Sequence, residues 1–263
     1  MLQQYRQLSE LMGGMLPPLL VPSSGCYMLD LGRGMGWCVY EMALKYPSLH
    51  ITGIDMDASV VEQAQSLVNG LGNVTVFVQD IHHFEENVFS SASFDLIHLH
   101  FLARDVTLQQ FPTLMQSLAR ICLPGGVLVW TEAELPITTS LACQHLCTLV
   151  QRGLQVRGHA FSPGNAGNSL GLIASMGHWF RNAGYRISQS KAYAIDISAG
   201  SKGNEAFVTQ VDISSEQIRS FLLEARVTTV TEFEDIFWEM QQEIREEKFC
   251  GLLYLRTLVG MRS

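Results

Sequence analysis

Residues Met28 to Gly36 limit the possible folds more than any other stretch of this chain. An apolar run, Met28-Leu29-Asp30-Leu31, carries one acid and leads into glycine at every second position, Gly32, Gly34 and Gly36. That order predicts a buried strand, a tight turn and a helix start, with backbone bare enough for a nucleotide to lie against it. Gly32 supplies the turn, Gly34 the close approach and Gly36 the packing of helix on strand. A dinucleotide fingerprint wants its third glycine one position later, where this chain has Trp37.

The segments that follow repeat the strand-then-acid pattern. His50-Ile51-Thr52-Gly53-Ile54-Asp55 reads as a second strand closed by a carboxylate, 19 residues beyond Gly36. A carboxylate there can accept hydrogen bonds from both hydroxyls of a ribose. Asp55 can instead cap the helix that follows, but Asp57 or Ser59 suits that position better, so the ribose role is preferred. Met56 then offers a soft thioether to an adenine face. Asn73 to Asp80 is a third strand and Ser93 to Phe101 a fourth. Leu123-Pro124-Gly125-Gly126 stops a helix and turns into a fifth strand ending near Trp130.

Alternating glycines behind an acid, the Phe94-Asp95-Leu96-Ile97 strand start and the Leu-Pro-Gly-Gly turn together resemble class I S-adenosylmethionine-dependent methyltransferases. The resemblance covers about residues 25–135. Thr131 to Pro136 and Phe180 to Tyr185 are similar to the bacterial small-molecule members of that group. It implies an α/β, Rossmann-like open sheet of seven strands, mostly parallel with an antiparallel last strand, helices on both faces and helical cap insertions. S-adenosylmethionine is the implied cofactor, held by Asp30, Gly32, Gly34, Gly36, Asp55 and Met56. Asp80 would take the adenine amino group and the Ile81 N–H a ring nitrogen. Arg33 stands where the family has a small residue, and it can reach the methionine carboxylate, face solvent or obstruct the pocket.

Composition narrows the partners. The chain has 263 residues, 17 Lys plus Arg against 25 Asp plus Glu, and a formal charge of −8. Such an acidic balance argues against nucleic acid and anionic membranes as partners. No apolar run reaches the roughly 18 residues of a membrane span, and the start Met1-Leu2-Gln3-Gln4-Tyr5-Arg6 lacks the layout of a signal peptide. The expectation is a cytoplasmic monomer or homodimer acting on a small-molecule acceptor. Six cysteines are scattered along it. The spacing of Cys143 and Cys147 puts them on one helix face, but two thiols without a second pair read as buried structure, so no metal is expected.

The expected organisation is a single domain with additions. Residues 1–20 hold an amphipathic helix from Gln3 to Met12, whose Tyr5 can contact the cofactor, and residues 21–135 form the binding core. Residues 136–183 and 199–249 are helical insertions expected to cover the acceptor site as a mobile lid. The first holds a helix over Ser140–Arg157, a turn-rich loop over Ser162–Gly171 and a helix ending near Gly184. The second holds helices over Ser215–Arg226 and Thr231–Glu247, with Ser215 and the Thr231/Glu234 pair as caps. Ile187–Ile197 is the sixth strand and Cys250–Val259 the last.

Methyl transfer needs positioning, exclusion of water and sometimes a base. His98 and His100 share one face of the fourth strand, with Leu99 opposite. His98 is read as lining the cofactor's methionine end and His100 as the candidate catalytic base. His82 and His83 fall near the adenine edge, and Glu132 and Glu134 can orient an acceptor. Three alternatives stay open: a nicotinamide-dependent oxidoreductase, a methyltransferase fold that binds cofactor without transferring methyl, and a sulfonium-steered reaction such as a cyclisation.

Overall fold

Apolar alternation in the sequence becomes a twisted sheet with two differently covered faces. The computed structural model describes residues 2–14, 16, 24–32, 35–81, 88–162 and 169–263, with the side chains of residues 2–5 and 35 outside that description. Four parallel strands lead: β1 (Tyr27–Gly32), β2 (His50–Asp55), β3 (Val74–Val78) and β4 (Phe94–His100). β5 (Cys122–Ala133) continues them in parallel, and the long closing strand β8 (Gly251–Arg262) runs antiparallel to β5 and to β7 (Tyr185–Asp196). The order is β3-β2-β1-β4-β5-β8, with β7 on the far side of β8.

The sheet has eight strands rather than the seven expected. The extra one, β6 (Ile137–Thr138), pairs with Leu252 and Gly251 on the β8 edge that β5 also uses. It therefore continues the line of β5 after the Glu134-Leu135-Pro136 interruption, where proline cannot donate to a ladder. Seven strand positions remain.

Helices α2 (Met35–Lys45) and α3 (Ala58–Leu67) cover one face, packing Val39, Met42, Val61 and Ala64 on Met28, Ile51 and Val76. Helices α4 (Phe111–Ile121) and α6 (Leu172–Asn182) cover the other, with Phe111 and Phe180 stacked on Trp130. Each large apolar side chain fully buried in these layers contributes roughly 1.5–3 kcal/mol. A second apolar cluster gathers α1 (Leu2–Met12), α5 (Leu141–Val156), α7 (Lys202–Glu224) and α8 (Val230–Glu243) against Ile195 and Leu255 of the sheet. Of the described residues of the first insertion, only those of α5 join that cluster, since α6 lies on the sheet.

Two expected caps are corrected. Helix α7 begins at Lys202 behind Ser201, whose side chain accepts from the Asn204 N–H. Ser215 lies in mid-helix, with its hydroxyl donating back to the Asp212 carbonyl. Helix α8 is capped by Thr229 with Glu232 in a reciprocal box, two residues before the Thr231/Glu234 pair. Glu243 on α8 reaches across to the start of α5, accepting from the Ser140 hydroxyl at 2.6 Å and the Ala142 N–H at 3.1 Å. That contact ties the two insertions to each other.

Candidate functional site

The carboxyl ends of four adjacent parallel strands bring the sequence's singled-out residues to one edge. Gly32 ends β1, Asp55 ends β2, Asp80 lies two residues past β3, and His100 ends β4. Gly32 and His100 are paired in register across β1 and β4, where the strand order reverses direction. Gly32 has φ +127°, and a Cβ on it would overlap the His100 carbonyl oxygen. Only glycine lets β1 finish this close to β4. Gly36 is buried in the first turn of α2. Gly34 and Arg33 lie outside the described residues, as do His82, His83 and most of the Ser162–Gly171 loop.

Asp57, not Asp55, caps α3: its side chain accepts from the Ser59 N–H at 2.8 Å. Asp55 accepts from the Asp57 N–H at 2.9 Å, and its carbonyl accepts from the Gln79 N–H at 2.9 Å, linking the β2 end to the segment after β3. Met56 beside it is 39 % exposed, Asp80 is half-buried, and the Ile81 side chain packs into the core.

Beneath the glycine turn sits an enclosed polar cluster. Asp30, His98 and His100 each have no exposed surface. His98 Nδ1 lies 2.6 Å from one oxygen of Asp30, and His100 Nε2 lies 3.4 Å from the other. Cys38, from the facing side of α2, places its Sγ 3.4 Å from His98 Nδ1. Burial alone would raise the Asp30 carboxyl, but the charge of His100 and hydrogen bonds with both imidazoles outweigh it and hold it well below the usual carboxylate range. Burial lowers His98 more than Asp30 raises it. The pair is thus a carboxylate and a neutral imidazole whose Nδ1–H donates to Asp30. His98 Nε2 has no hydrogen-bond partner among the described residues. The strand periodicity that put both histidines on one face holds, with Leu99 in the opposite core.

Cys38 carried no signal in the sequence, because nothing local says that the α2 face bearing it will cover Asp30. Ser9 and Glu41 went unforeseen for the same reason: the Ser9 hydroxyl donates to the Glu41 carboxylate at 3.3 Å, fastening α1 to α2. Arg6 adds a cation–π contact with Trp37, its guanidinium 5.7 Å from the ring centroid.

Glu132, near the end of β5, and Glu134, just past it, are internal anchors in the structure. Glu132 is buried and accepts from the Leu102 N–H at 2.6 Å and the Trp130 indole N–H at 3.0 Å. Desolvation pushes its carboxyl up to about 7, against those two hydrogen bonds. Glu134 accepts from the Leu170 and Gly171 N–H groups and the Ser169 hydroxyl, holding the segment that enters α6. Cys143 and Cys147 are buried in the second apolar cluster, as expected. An open groove of about 400 Å³ between α7 and α8, lined in part by Arg219, Phe233, Phe237 and Trp238, draws no residue from β1, β2 or β4.

Residues 22–184 match the family model described as a methyltransferase domain. No curated protein matches the chain by sequence. Among solved structures, Haemonchus contortus phosphoethanolamine N-methyltransferase 2 in complex with S-adenosyl-L-methionine is 15% identical, with a TM-score of 0.54 over 99% of this chain and 52% of that one. The present chain thus spans about half the length of that enzyme. The YcgJ protein of Bacillus subtilis is 14% identical, with a TM-score of 0.55 over 98% of this chain and 99% of that one. The cyclase SpnF is 13% identical, with a TM-score of 0.54 over 98% and 92%. At these identities the likeness is one of fold.

Proposed function

The chain belongs to the methyltransferase-domain family, and from that premise we propose that it uses S-adenosylmethionine as methyl donor and that its acceptor is a small organic molecule methylated at the carboxyl edge of β1 and β4. One observation supports the placement above the others: Gly32, Asp55 and Asp80 come from three neighbouring strands and converge beside the point where the strand order reverses. Open α/β sheets bind ligands there. The residues present suit the cofactor: a turn with no room for a Cβ, an ionised carboxylate beneath it, and a second carboxylate at the next strand end.

In this reading the turn at Gly32, Gly34 and Gly36 lets the methionine end lie on backbone. Asp55 accepts from the ribose hydroxyls, Met56 packs on the adenine, Asp80 takes the amino group and the Ile81 N–H a ring nitrogen. Asp30 and His98 form the floor below the methionine end. His100 takes the acceptor's proton, and since its ring is enclosed, the elements above it must shift for an acceptor to reach it. The bound cofactor supplies a methyl carbon already made electrophilic by the sulfonium, which leaves the chain to align the acceptor and exclude water. A formal charge of −8 favours a small acceptor over a nucleic acid.

Calorimetry should show S-adenosylmethionine or its demethylated product binding in the micromolar range and no heat with NAD. Asp55→Ala leaves two ribose hydroxyls without their charged acceptor, a loss on the order of 1.5–3 kcal/mol. Affinity should fall about ten- to a hundredfold with the fold intact. Wild-type affinity in a folded variant would remove Asp55 from the site. Products formed with methyl-labelled cofactor and candidate acceptors would separate methyl transfer from a rearrangement that leaves the cofactor unchanged.

The helical insertions make the cover in this reading, chiefly α5, α7 and α8, which share an apolar core with Ile195 and Leu255 of the sheet. A methyl donor needs a site closed to water. Cofactor should therefore slow amide exchange in α5, α7 and α8 as well as around Gly32 and Gly36. Protection restricted to the glycine turn would mean that the acceptor meets a preformed cleft.

A further inference from the structure

We propose that Asp30, Cys38 and His98 together form a buried three-ligand site for one divalent transition-metal ion of zinc's kind. The donors come from three elements: β1, the face of α2 that covers it, and β4. One ligand atom each from Asp30, Cys38 and His98 lies within 4.8 Å of the other two, and all three residues are buried. Tetrahedral zinc with bonds of about 2.0–2.3 Å sets its ligand atoms roughly 3.3–3.6 Å apart. The Cys38–His98 separation, 3.4 Å, already has that spacing. The Asp30–His98 contact of 2.6 Å would have to open by about 0.7 Å, a side-chain movement at the end of two strands.

The donor chemistry is selective. One thiolate, one carboxylate and one imidazole suit zinc, cobalt or ferrous iron and not magnesium or calcium, which prefer oxygen alone. Two negative ligands balance a dication, so the enclosed cluster becomes neutral when the Cys38 thiol gives its proton to solvent and its sulfur to the metal. The ion would take these three buried protein ligands and complete its tetrahedron with a water. It would clamp α2 to β1 and β4 on either side of the glycine turn. This inference does not depend on the cofactor assignment, because metal binding is read without cofactor or acceptor.

The test uses the full chain, stripped with a chelator and titrated with zinc against a chromophoric competitor, then with cobalt. One equivalent should bind, thermal unfolding should move upward, and the cobalt form should show a sulfur-to-metal charge-transfer band. X-ray absorption on the zinc form, which needs no variant, should find one sulfur at about 2.3 Å and nitrogen or oxygen neighbours at about 2.0–2.1 Å. Cys38→Ser should abolish the charge-transfer band, and His98→Gln should weaken binding roughly a hundredfold. Retained binding in the Cys143→Ala/Cys147→Ala double variant would support the site. Absence of stoichiometric binding, a sulfur-free coordination shell, or loss of binding only in that double variant would each overturn it.

Discussion

Gly32→Ala should be among the most damaging single-methyl additions this chain can receive. The backbone at Gly32 has φ +127°, which an alanine adopts only under strain, and the added Cβ would overlap the His100 carbonyl oxygen. Neither strand can yield easily, because Gly32 and His100 are partners in the β1–β4 ladder and both strands are buried. Strain and backbone overlap together should cost about 4 kcal/mol, a large share of the stability of an ordinary domain. Cofactor binding should be lost with it, since any relief must move the turn. Gly125→Ala is the matched control: φ is +76° there, and no atom lies within 4 Å of the added Cβ. Only the left-handed penalty of about 1–2 kcal/mol applies at that position. Denaturant unfolding of both variants measures the contrast, and equal losses would show that the close approach of β1 to β4 is not what requires glycine.

Glu132→Gln should stabilise the protein at alkaline pH. Its carboxyl is pushed up to about 7 by burial, from the 4.5 of an exposed glutamate. Between those values the folded chain keeps a proton that the unfolded chain has lost, so stability falls as pH rises and levels off above about 7. The shift corresponds to about 3 kcal/mol. Glutamine keeps the contacts, because the Leu102 N–H and the Trp130 indole N–H both donate to the same oxygen, Oε1. His98 acts in the opposite direction: with its imidazole lowered, it adds stability as pH rises through the ordinary histidine range. The difference between wild type and variant isolates Glu132. Urea unfolding at pH 5 and pH 8 should show the wild type losing about 2.5 kcal/mol more than the glutamine variant over that interval. Parallel pH profiles would mean that Glu132 titrates as an ordinary exposed acid.

These two residues differ in how far the sequence reveals them. Gly32 is legible because its neighbours form an apolar run that can only be a buried strand, and glycine directly after such a run marks a turn. Asp55 and Asp80 follow the same logic. The partners of Glu132 and Glu134 are not legible: the Leu102 N–H is 30 positions from Glu132, and the Gly171 N–H is 37 from Glu134. The helix caps show the limit at shorter range. Thr229 with Glu232 and Thr231 with Glu234 have the same spacing, and local pattern alone ranks neither first. Packing favours the earlier start, which turns Phe233, Ile236 and Met240 into the second apolar cluster. Helix α7 likewise runs past Ser214 and Ser215, whose hydroxyls bond back to carbonyls of the preceding turn instead of capping a new helix.

The sequence by itself determined the order of strands and helices, the acids at strand ends and the glycine turn. Each is a local property, fixed by apolar period, by the conformational freedom of glycine and by what can follow a buried strand. Tertiary structure alone decided which side chains face one another across elements. Asp30 and His98 are 68 positions apart and meet because β1 and β4 pair in register, whereas Cys38 reaches them because α2 folds back over β1. Chain connectivity sets no such distances. They follow from burying both faces of one sheet, where every strand's neighbours come from distant sequence.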